Sequence, residues 1–319
     1  LKQEPVPEAQ PGQAVIALKA AALNHRDLWI QKGQYAGLKY PIIPGSDGVG
    51  TCVHVPEGTH CLFEDEPCII NPGLHWGESE AYQGPDFKIL GLPDNGTMAE
   101  YVVVPADHVY ACPSHLNREE AAALPLAGLT AWRALMSRGQ YQQGEKVLLP
   151  GIGGGVAVML LQFAVAAGAE VWVTSSSQAK IDKAMAHGAQ GGVLYTQEGW
   201  HKQLREQAGR FPLIVESAGG PGFKHLVDLA EPGGRIVNFG GTAGAIEGLI
   251  PAKFFFKQMD IRGSTMGSQQ DFTQMLTFVE RHEIKPIVSA TYPLEEAQAA
   301  FQHMEEGQQF GKIVLRIQA

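Results

Sequence analysis

Apolar residues change their spacing near residue 117. Before that point they alternate in short runs cut by glycine and proline, the pattern of an all-β unit of about 110 residues. Residues 13–22 (QAVIALKAAA) set Val15, Ala17 and Lys19 against Ile16 and Leu18, which predicts a strand. Residues 67–71 and 96–104 predict two more. Residues 42–50 carry a glycine every few positions, which suits the bends of a small curved barrel. Residues 23–29 predict a short helix with Asn24 as its N-cap, followed by a loop over 33–37 that contains Tyr35. Residues 73–91 are aromatic and without period, and predict a loop.

After residue 117, short apolar runs alternate with segments of helical spacing. Asn117 caps a first helix, with Glu120 at the capping-box position, and 130–135 continues as a second helix. Strands are predicted over 147–149, 170–174, 192–195, 213–216, 235–239 and 259–264. Helices are predicted over 156–167, 178–187, 199–208 and 222–230. This alternation predicts an α/β doubly wound parallel sheet. Two helices, 271–283 and 294–306, and a strand over 312–317 close the chain. No repeat or low-complexity tract is present.

The chain is organised around residues 145–157, where an apolar strand runs into Gly151-Ile152-Gly153-Gly154-Gly155-Val156 and then an apolar helix. Strand, glycine turn and helix open a dinucleotide-binding βαβ unit: small residues let the backbone approach a pyrophosphate, which meets the free N–H groups and positive dipole of the helix start. Two spacings fit. G-x-G-x-x-G uses Gly151 and Gly153 but fails at Val156. G-x-x-G-x-x-A uses Gly151, Gly154 and Ala157 and is preferred. A P-loop is excluded, because no Gly-Lys-Ser/Thr follows.

Composition narrows the picture. The chain of 319 residues is 45% hydrophobic and 18% charged, as a globular protein with room for two domains. A net charge of −9 lacks the basic balance expected for nucleic acid or anionic membrane. No apolar run approaches the ~18 residues of a membrane span. Cys52, Cys61, Cys68 and Cys112 form no C-x-x-C pair, and the expectation is inert thiols in a reducing cytoplasm, with a disulfide as the open alternative. The chain begins at Leu1 without Met and without a signal-like apolar segment, which leaves trimming and an upstream targeting segment both open.

The ends of the predicted strands carry the candidate chemistry. They finish at Gly151, at Ser175, at Ala218-Gly219-Gly220 and, after Phe239, at Gly240-Gly241-Thr242. Ligands of an open parallel sheet bind outside such strand ends. The second strand ends in Thr174-Ser175-Ser176-Ser177 in place of the Asp or Glu that receives an NAD ribose. Ser175, Ser176 and Lys180 suit a 2′-phosphate, so the cofactor expected is NADP(H). In the plainer reading the serines cap a helix and Lys180 is solvated. The nucleotide-binding set is Gly151, Ile152, Gly153, Gly154, Gly155, Val156, Ser175, Ser176, Lys180, Ala218, Phe239, Gly240 and Gly241.

The chain resembles the medium-chain dehydrogenase/reductase superfamily, and within it the zinc-free quinone oxidoreductase branch. The resemblance runs nearly end to end, through Ala20-Ala21-Ala22-Leu23-Asn24-His25-Arg26-Asp27, Pro44-Gly45-Ser46-Asp47-Gly48, Ala121-Ala122-Ala123-Leu124-Pro125-Leu126-Ala127-Gly128-Leu129-Thr130-Ala131-Trp132, the glycine turn, Gly234-Arg235-Ile236-Val237 and Gly311-Lys312-Ile313-Val314-Leu315. It implies a GroES-like β-barrel catalytic domain (1–117 and 264–319) interrupted by a Rossmann NADP(H)-binding domain (118–263), with a cleft between. It also implies a leading hairpin, which is not found after Leu1 and is consistent with trimming there.

The resemblance adds three residues to the cofactor set. Asn24 stands on the cleft floor beside the nicotinamide, Thr130 backs it, and Lys312 reaches the cofactor from the last strand. The zinc-dependent branch binds its catalytic metal through a Cys where Asn24 stands, a His where Ser46 stands and a Cys near Leu126. Its structural-zinc lobe corresponds to 73–91, which holds no cysteine. One carboxylate, Asp47, cannot hold zinc. An unrelated site from His25, His75 and Asp47 is the remaining metal possibility, and the expectation is no metal. Without that Lewis acid, hydride must go to an acceptor that is already electrophilic, a quinone or an α,β-unsaturated carbonyl. Asn24, on the cleft floor beside the nicotinamide, and Arg26 and Tyr35, as donors to a substrate oxygen, are the catalytic candidates. Their plainer readings are a helix cap, an exposed charge and a loop-packing aromatic. Two alternatives stay open: an alcohol dehydrogenase with an undetected metal, and a non-catalytic nucleotide-binding or structural protein. A homodimer through the 259–264 sheet edge is expected.

Overall fold

The protein is described from a computed structural model, which covers residues 1–317 except 60–62, 64 and 65. Cys61 lies outside the described residues. The chain divides into two compact units, Leu1–Leu129 with Gly267–Ala319, and Thr130–Met266.

The first unit opens with β1 (Gln13–Ala22), α1 (His25–Gln31), β2 (Asp47–His54), β3 (Pro67–Ile70), β4 (Gly73–Leu74), β5 (Lys88–Ile89), β6 (Tyr101–Pro105), β7 (Val109–Ala111) and α2 (Arg118–Ala123), and α3 (Pro125–Trp132) runs out of it. The second unit holds β8 (Lys146–Leu149), α4 (Gly155–Ala166), β9 (Glu170–Ser175), α5 (Gln178–Ala186), β10 (Gly191–Leu194), α6 (Trp200–Ala208), β11 (Phe211–Glu216), α7 (Phe223–Leu229), β12 (Ala230–Asn238), α8 (Pro251–Phe255) and β13 (Asp260–Gly263). The chain then returns to the first unit through α9 (Gln269–Arg281), β14 (Val288–Pro293), α10 (Ala297–Glu306) and β15 (Lys312–Arg316).

In the first unit β1 is the hub. It pairs with β2 along one edge, and with β6 and β15 along successive halves of the other. The sheet continues from β2 to β3 and β7, and from β15 to β14. Alternation along β1 sends Ile16, Leu18, Ala21 and Leu23 into the barrel core, with Cys52, Ile70, Val102, Ile313 and Leu315. Strand β1 bulges against β2 at Leu18/Ala20, close to Gly50. A Cβ on Gly50 would sit 2.1 Å from the Ala17 carbonyl oxygen, so only glycine fits there.

The segment 118–129 belongs with this barrel, whereas the sequence placed the boundaries at 117/118 and 263/264. The reason is local. Ala20 and Ala22, on the outer face of β1, pack against Ala121, Ala122 and Ala123 of α2. Alanine against alanine draws helix and strand close. Two further differences concern short elements. The predicted 73–91 loop contains the two-residue strands β4 and β5, and β14, half-buried without alternation, pairs parallel to β15.

The second unit is a six-stranded sheet in the order β10-β9-β8-β11-β12-β13, with every pair parallel. This is the doubly wound order, and the connection direction reverses between β8 and β11. Phe211, Ile214, Phe223, Leu226 and Ile236 fill the core under α6 and α7. The reversal puts the carboxyl ends of β8 and β11 side by side, where a ligand crevice is expected.

Candidate functional site

In the second unit the chain leaves β8 through Gly151 (φ 73°) and Gly153 (φ 136°), both in backbone conformations that favour glycine. Gly154 is the N-cap of α4, Gly155 its first residue, and no side chain caps that end. Ala157, 8% exposed, packs inside the helix at the third place of the spacing. Both glycine readings are therefore used: the left-handed turn takes Gly151 and Gly153, while the helix start takes Gly154. The first-turn N–H groups, with Val156 among them, are open to an anion. Ile152 is buried, and its N–H donates to the Thr174 carbonyl at 2.9 Å. Thr174 Oγ1 accepts from Gly151 N at 3.2 Å, so the end of β9 holds the turn in place.

Ser175 is buried, and its Oγ accepts from Ser177 N at 3.2 Å, while Ser176 is exposed. Ser177 occupies the N-cap position of α5 without a side-chain cap bond, so the serines are not spent as helix caps. Lys180 is half-buried and lies across the glycine turn: a Cβ on Gly153 would sit 2.8 Å from its Cδ and 3.0 Å from its Nζ. Burial, and then the neighbouring Lys183, lower its pKa.

Sequence reasoning missed Glu216. It is 2% exposed at the end of β11. Its Oε2 accepts from Ala218 N at 2.7 Å and Gly219 N at 3.0 Å, and its Oε1 accepts from Asn238 Nδ2. Asn238 also donates to the Gly240 carbonyl at 2.8 Å. One carboxylate thus shapes both strand ends that carry Ala218, Phe239, Gly240 and Gly241. Gly240 is required by close approach, since its Cβ would lie 2.7 Å from the Ser217 carbonyl oxygen. The available signal was an acid ending an otherwise apolar strand, 213–216. Thr130 lies on α3, 6% exposed, with Oγ1 directed to Met266 Sδ at 3.8 Å.

The barrel unit brings Asn24 and Lys312 together through a third residue, Asp47. Their exposures are 7%, 4% and 0%. Lys312 Nζ donates to the Leu23 carbonyl at 2.7 Å, Asn24 Oδ1 at 2.6 Å and Asp47 Oδ2 at 2.8 Å. Asn24 Nδ2 donates to Asp47 Oδ2 at 2.9 Å, and Asp47 Oδ1 accepts from Leu126 N at 2.7 Å. An ammonium has three N–H donors, and all three of Lys312's are engaged here. Lys312, expected to reach a cofactor, holds Asn24 and Asp47 here. Asn24 is the N-cap of α1, in a capping box with Asp27, and its side-chain amide also joins this cluster.

Arg26 is not an exposed charge. It is 8% exposed, and donates to Ser46 Oγ and to the Leu90 carbonyl, each at 2.7 Å. Tyr35 packs against it, with the guanidinium 5.2 Å from the ring centroid. Arg26 therefore braces Ser46 and the 90 loop. Asp27 is fully buried, and its Oδ2 accepts from Asn24 N at 2.8 Å. Its Oδ1 has no hydrogen-bond partner among the described residues. Burial pushes its carboxyl up to about 6, against the opposing pull of Arg26.

His25, His75 and Asp47 do not converge. His25 is exposed, while His75 lines a cavity with Trp76, Glu80 and His108. Among the described residues no three His, Cys, Asp or Glu side chains are grouped to hold a metal.

Comparison with known proteins agrees with this two-unit arrangement. Residues 10–114 match the model of the alcohol dehydrogenase GroES-like domain, and residues 155–281 that of the zinc-binding dehydrogenase. The zinc-type alcohol dehydrogenase-like protein YogA of Leptosphaeria maculans is 34% identical, over 98% of this chain and 92% of its own. The acryloyl-coenzyme A reductase of Sulfurisphaera tokodaii is 28% identical, over 99% of this chain and 96% of its own. Among solved structures, an NAD-dependent alcohol dehydrogenase superposes with a TM-score of 0.93 at 37% identity, covering 99% of this chain and 95% of that one. The 2-octenoyl-CoA carboxylase reductase, in complex with NADP and 2-octenoyl-CoA, superposes at 0.88 with 26% identity, covering 98% and 81%.

Several of those names imply a zinc ion. The residues here do not fit one. The three positions where the resemblance puts the ligands hold an amide, a hydroxyl and an aliphatic chain: Asn24, Ser46 and Leu126. The ammonium of Lys312 already contacts Asn24 Oδ1 and Asp47 Oδ2, and the guanidinium of Arg26 already contacts Ser46 Oγ. A dication would meet two fixed cations and one carboxylate.

Proposed function

The chain belongs to the medium-chain dehydrogenase/reductase superfamily, and on that premise we propose that it is a zinc-independent, NADPH-dependent reductase of quinones or α,β-unsaturated carbonyls. The observation that carries this reading is Lys312, a buried ammonium bonded to Asn24 and Asp47 where a catalytic metal would be held. Two relatives whose names describe the reduction of unsaturated acyl thioesters support the acceptor class.

The glycine turn and open α4 start would hold the pyrophosphate, with Ser175, Ser176 and Lys180 at the 2′-phosphate. The group bound there supplies hydride. Asn24 donates a hydrogen bond to the acceptor oxygen, Lys312 and Asp47 hold Asn24 in place, and Arg26 and Tyr35 line the same unit as braces. Oxygen charge is then met by a fixed N–H dipole, whose contribution depends on its being oriented beforehand.

The test is NADPH oxidation with 1,4-benzoquinone and with methyl vinyl ketone, on protein stripped by a chelator and assayed for metal. Turnover should persist in metal-free protein. Activity that disappears on chelation and returns with zinc would establish instead the second reading, a metal-dependent alcohol dehydrogenase, which the names of several relatives favour.

The same reading includes a homodimer. Strand β13 ends the second sheet, with no strand beyond it among the described residues. Ile246, Leu249, Ile250, Phe255 and Phe256 stand exposed just before it. A partner strand would pair the open edge and cover part of this apolar run. Light scattering at micromolar concentration should give twice the 34.3 kDa chain mass, and a monomer would contradict it. A cytoplasmic setting is also proposed, from four cysteines without a C-x-x-C spacing. No helix among the described residues is long and apolar enough to cross a membrane.

A further inference from the structure

We propose that Lys312 is a positioning residue: it locks the Asn24 amide so that a single N–H donor, and not the amide oxygen, is presented to a carbonyl oxygen of the acceptor. This rests on the reductase reading above.

The geometry leaves one orientation. An ammonium accepts no hydrogen bond, so the Asn24 atom 2.6 Å from Lys312 Nζ must be the oxygen. Lys312 Nζ also reaches Asp47 Oδ2 at 2.8 Å, and Asp47 Oδ2 takes an N–H from Asn24 Nδ2 at 2.9 Å. These bonds close a ring through the amide. The Nδ2 hydrogen inside the ring is the one on the same side as Oδ1. The second hydrogen points out of the ring and has no hydrogen-bond partner among the described residues. Asn24 is also the most exposed of the three, at 7% against 4% for Lys312 and 0% for Asp47.

The ring is held from behind. Leu126 N donates to the second oxygen of Asp47, and the Leu23 carbonyl takes the third N–H of Lys312. A flipped amide would set Nδ2 against the ammonium, donor against donor, and is excluded while Lys312 is charged. A cation on Oδ1 also draws electron density from the amide and strengthens its N–H donors.

This selects the chemistry of the ligand. A lone donor fits an oxygen that only accepts and that gains charge during reaction. In an enone the β-carbon takes the hydride and forms its C–H bond. The C=C pair moves toward the carbonyl carbon, and the carbonyl pair ends on oxygen as an enolate. A solvent proton at the α-carbon completes the product, with NADPH oxidised to NADP+. The enolate oxygen, more basic than the ketone, takes the stronger bond from Asn24, which is the differential that accelerates the step.

The test uses 4-nitrophenol as an oxyanion probe on NADP+-loaded protein, read by phenolate absorbance, beside steady-state kinetics with methyl vinyl ketone. Lys312→Met with Asp47→Asn removes the ring while keeping an acceptor for Leu126 N and leaving no unpaired buried charge; Lys312→Arg is the conservative comparison. The wild type should favour bound phenolate over phenol relative to free probe, and the double variant should lose about tenfold of that ratio. Its kcat should fall about 100-fold with KM changed far less, and Lys312→Arg should recover part of both. Equal phenolate ratios in wild type and double variant, or no bound-probe signal in wild type, would overturn the proposal. The two readings fail separately. A wild type that stabilises phenolate but reduces no enone or quinone ends the reductase reading alone. Turnover that survives the double variant ends this inference alone.

Discussion

The two units build their candidate sites from different materials. In the nucleotide unit the parts are backbone: the turn at Gly151 and Gly153, the uncapped start of α4, and strand ends kept small at Ala218 and Gly240. In the barrel unit the parts are side chains. Asp47 is bonded to Leu126 across 79 positions and Lys312 to Leu23 across 289. A backbone site tolerates change in its side chains but not in its glycines. A side-chain site sealed from water behaves the opposite way, because each charge depends on its partner's presence. The barrel site should therefore respond to single substitutions in stability, and the nucleotide site in affinity.

The largest expected effect breaks the barrel cluster. Lys312→Met leaves Asp47 ionised, fully buried and without its cation. Removing one partner of such a pair costs about 3–5 kcal/mol. Urea unfolding should show that loss, and Asp47→Asn in the same chain should recover most of it. If Lys312→Met unfolds at the wild-type midpoint, the pair is not structural and the contrast between the units fails.

Asp27 sharpens the same contrast through pH. Burial pushes its folded carboxyl up to about 6, from the 3.8 of a free aspartate side chain. Between those values the folded state holds more protons than the unfolded one, so stability falls as pH rises through that window and levels off above it. The displacement corresponds to about 3 kcal/mol at neutral pH. Asp27→Asn keeps an oxygen for Asn24 N and removes the charge. It should be more stable than wild type at pH 7, with the gain shrinking toward pH 4. A stability difference that is flat across this range would show that Asp27 is not the group responsible.

The sequence made the nucleotide unit legible almost strand by strand, because a parallel sheet buried on both faces writes apolar runs and its turns need glycine. The barrel was legible only in part. Its strand β1 was plain from alternation, but β14 has no alternation to find, and α2 was assigned across the boundary because nothing local reveals that its alanines meet Ala20 and Ala22. Asn24 and Lys312 were both picked out, for contacts to a cofactor. That they bond to each other and both to Asp47 depends on how strands far apart in sequence are brought together, which no spacing rule encodes. Arg26 was given an exposed alternative because charged side chains usually are exposed. Its burial follows from the acceptors, Ser46 Oγ and the Leu90 carbonyl, that the fold brings to it.

The smallest expected effect tests the nucleotide unit on its few side chains. Lys180 lies over the glycine turn, and its lowered pKa reflects burial together with the neighbouring Lys183, an effect that a bound phosphate would oppose. A charge-assisted contact to a partly exposed 2′-phosphate contributes on the order of 1–3 kcal/mol. Lys180→Ala should therefore weaken NADPH binding roughly ten- to a hundredfold, while NADH, lacking that phosphate, barely changes. Ser175→Asp works by repulsion instead: its carboxylate would oppose the 2′-phosphate and accept from an NADH ribose, so the preference should shrink or reverse. Dissociation constants of both cofactors for the three proteins decide the matter. Should Lys180→Ala weaken both cofactors alike, the lysine belongs to the turn it covers and to the pyrophosphate, and cofactor choice has to be sought in the other residues at the end of β9.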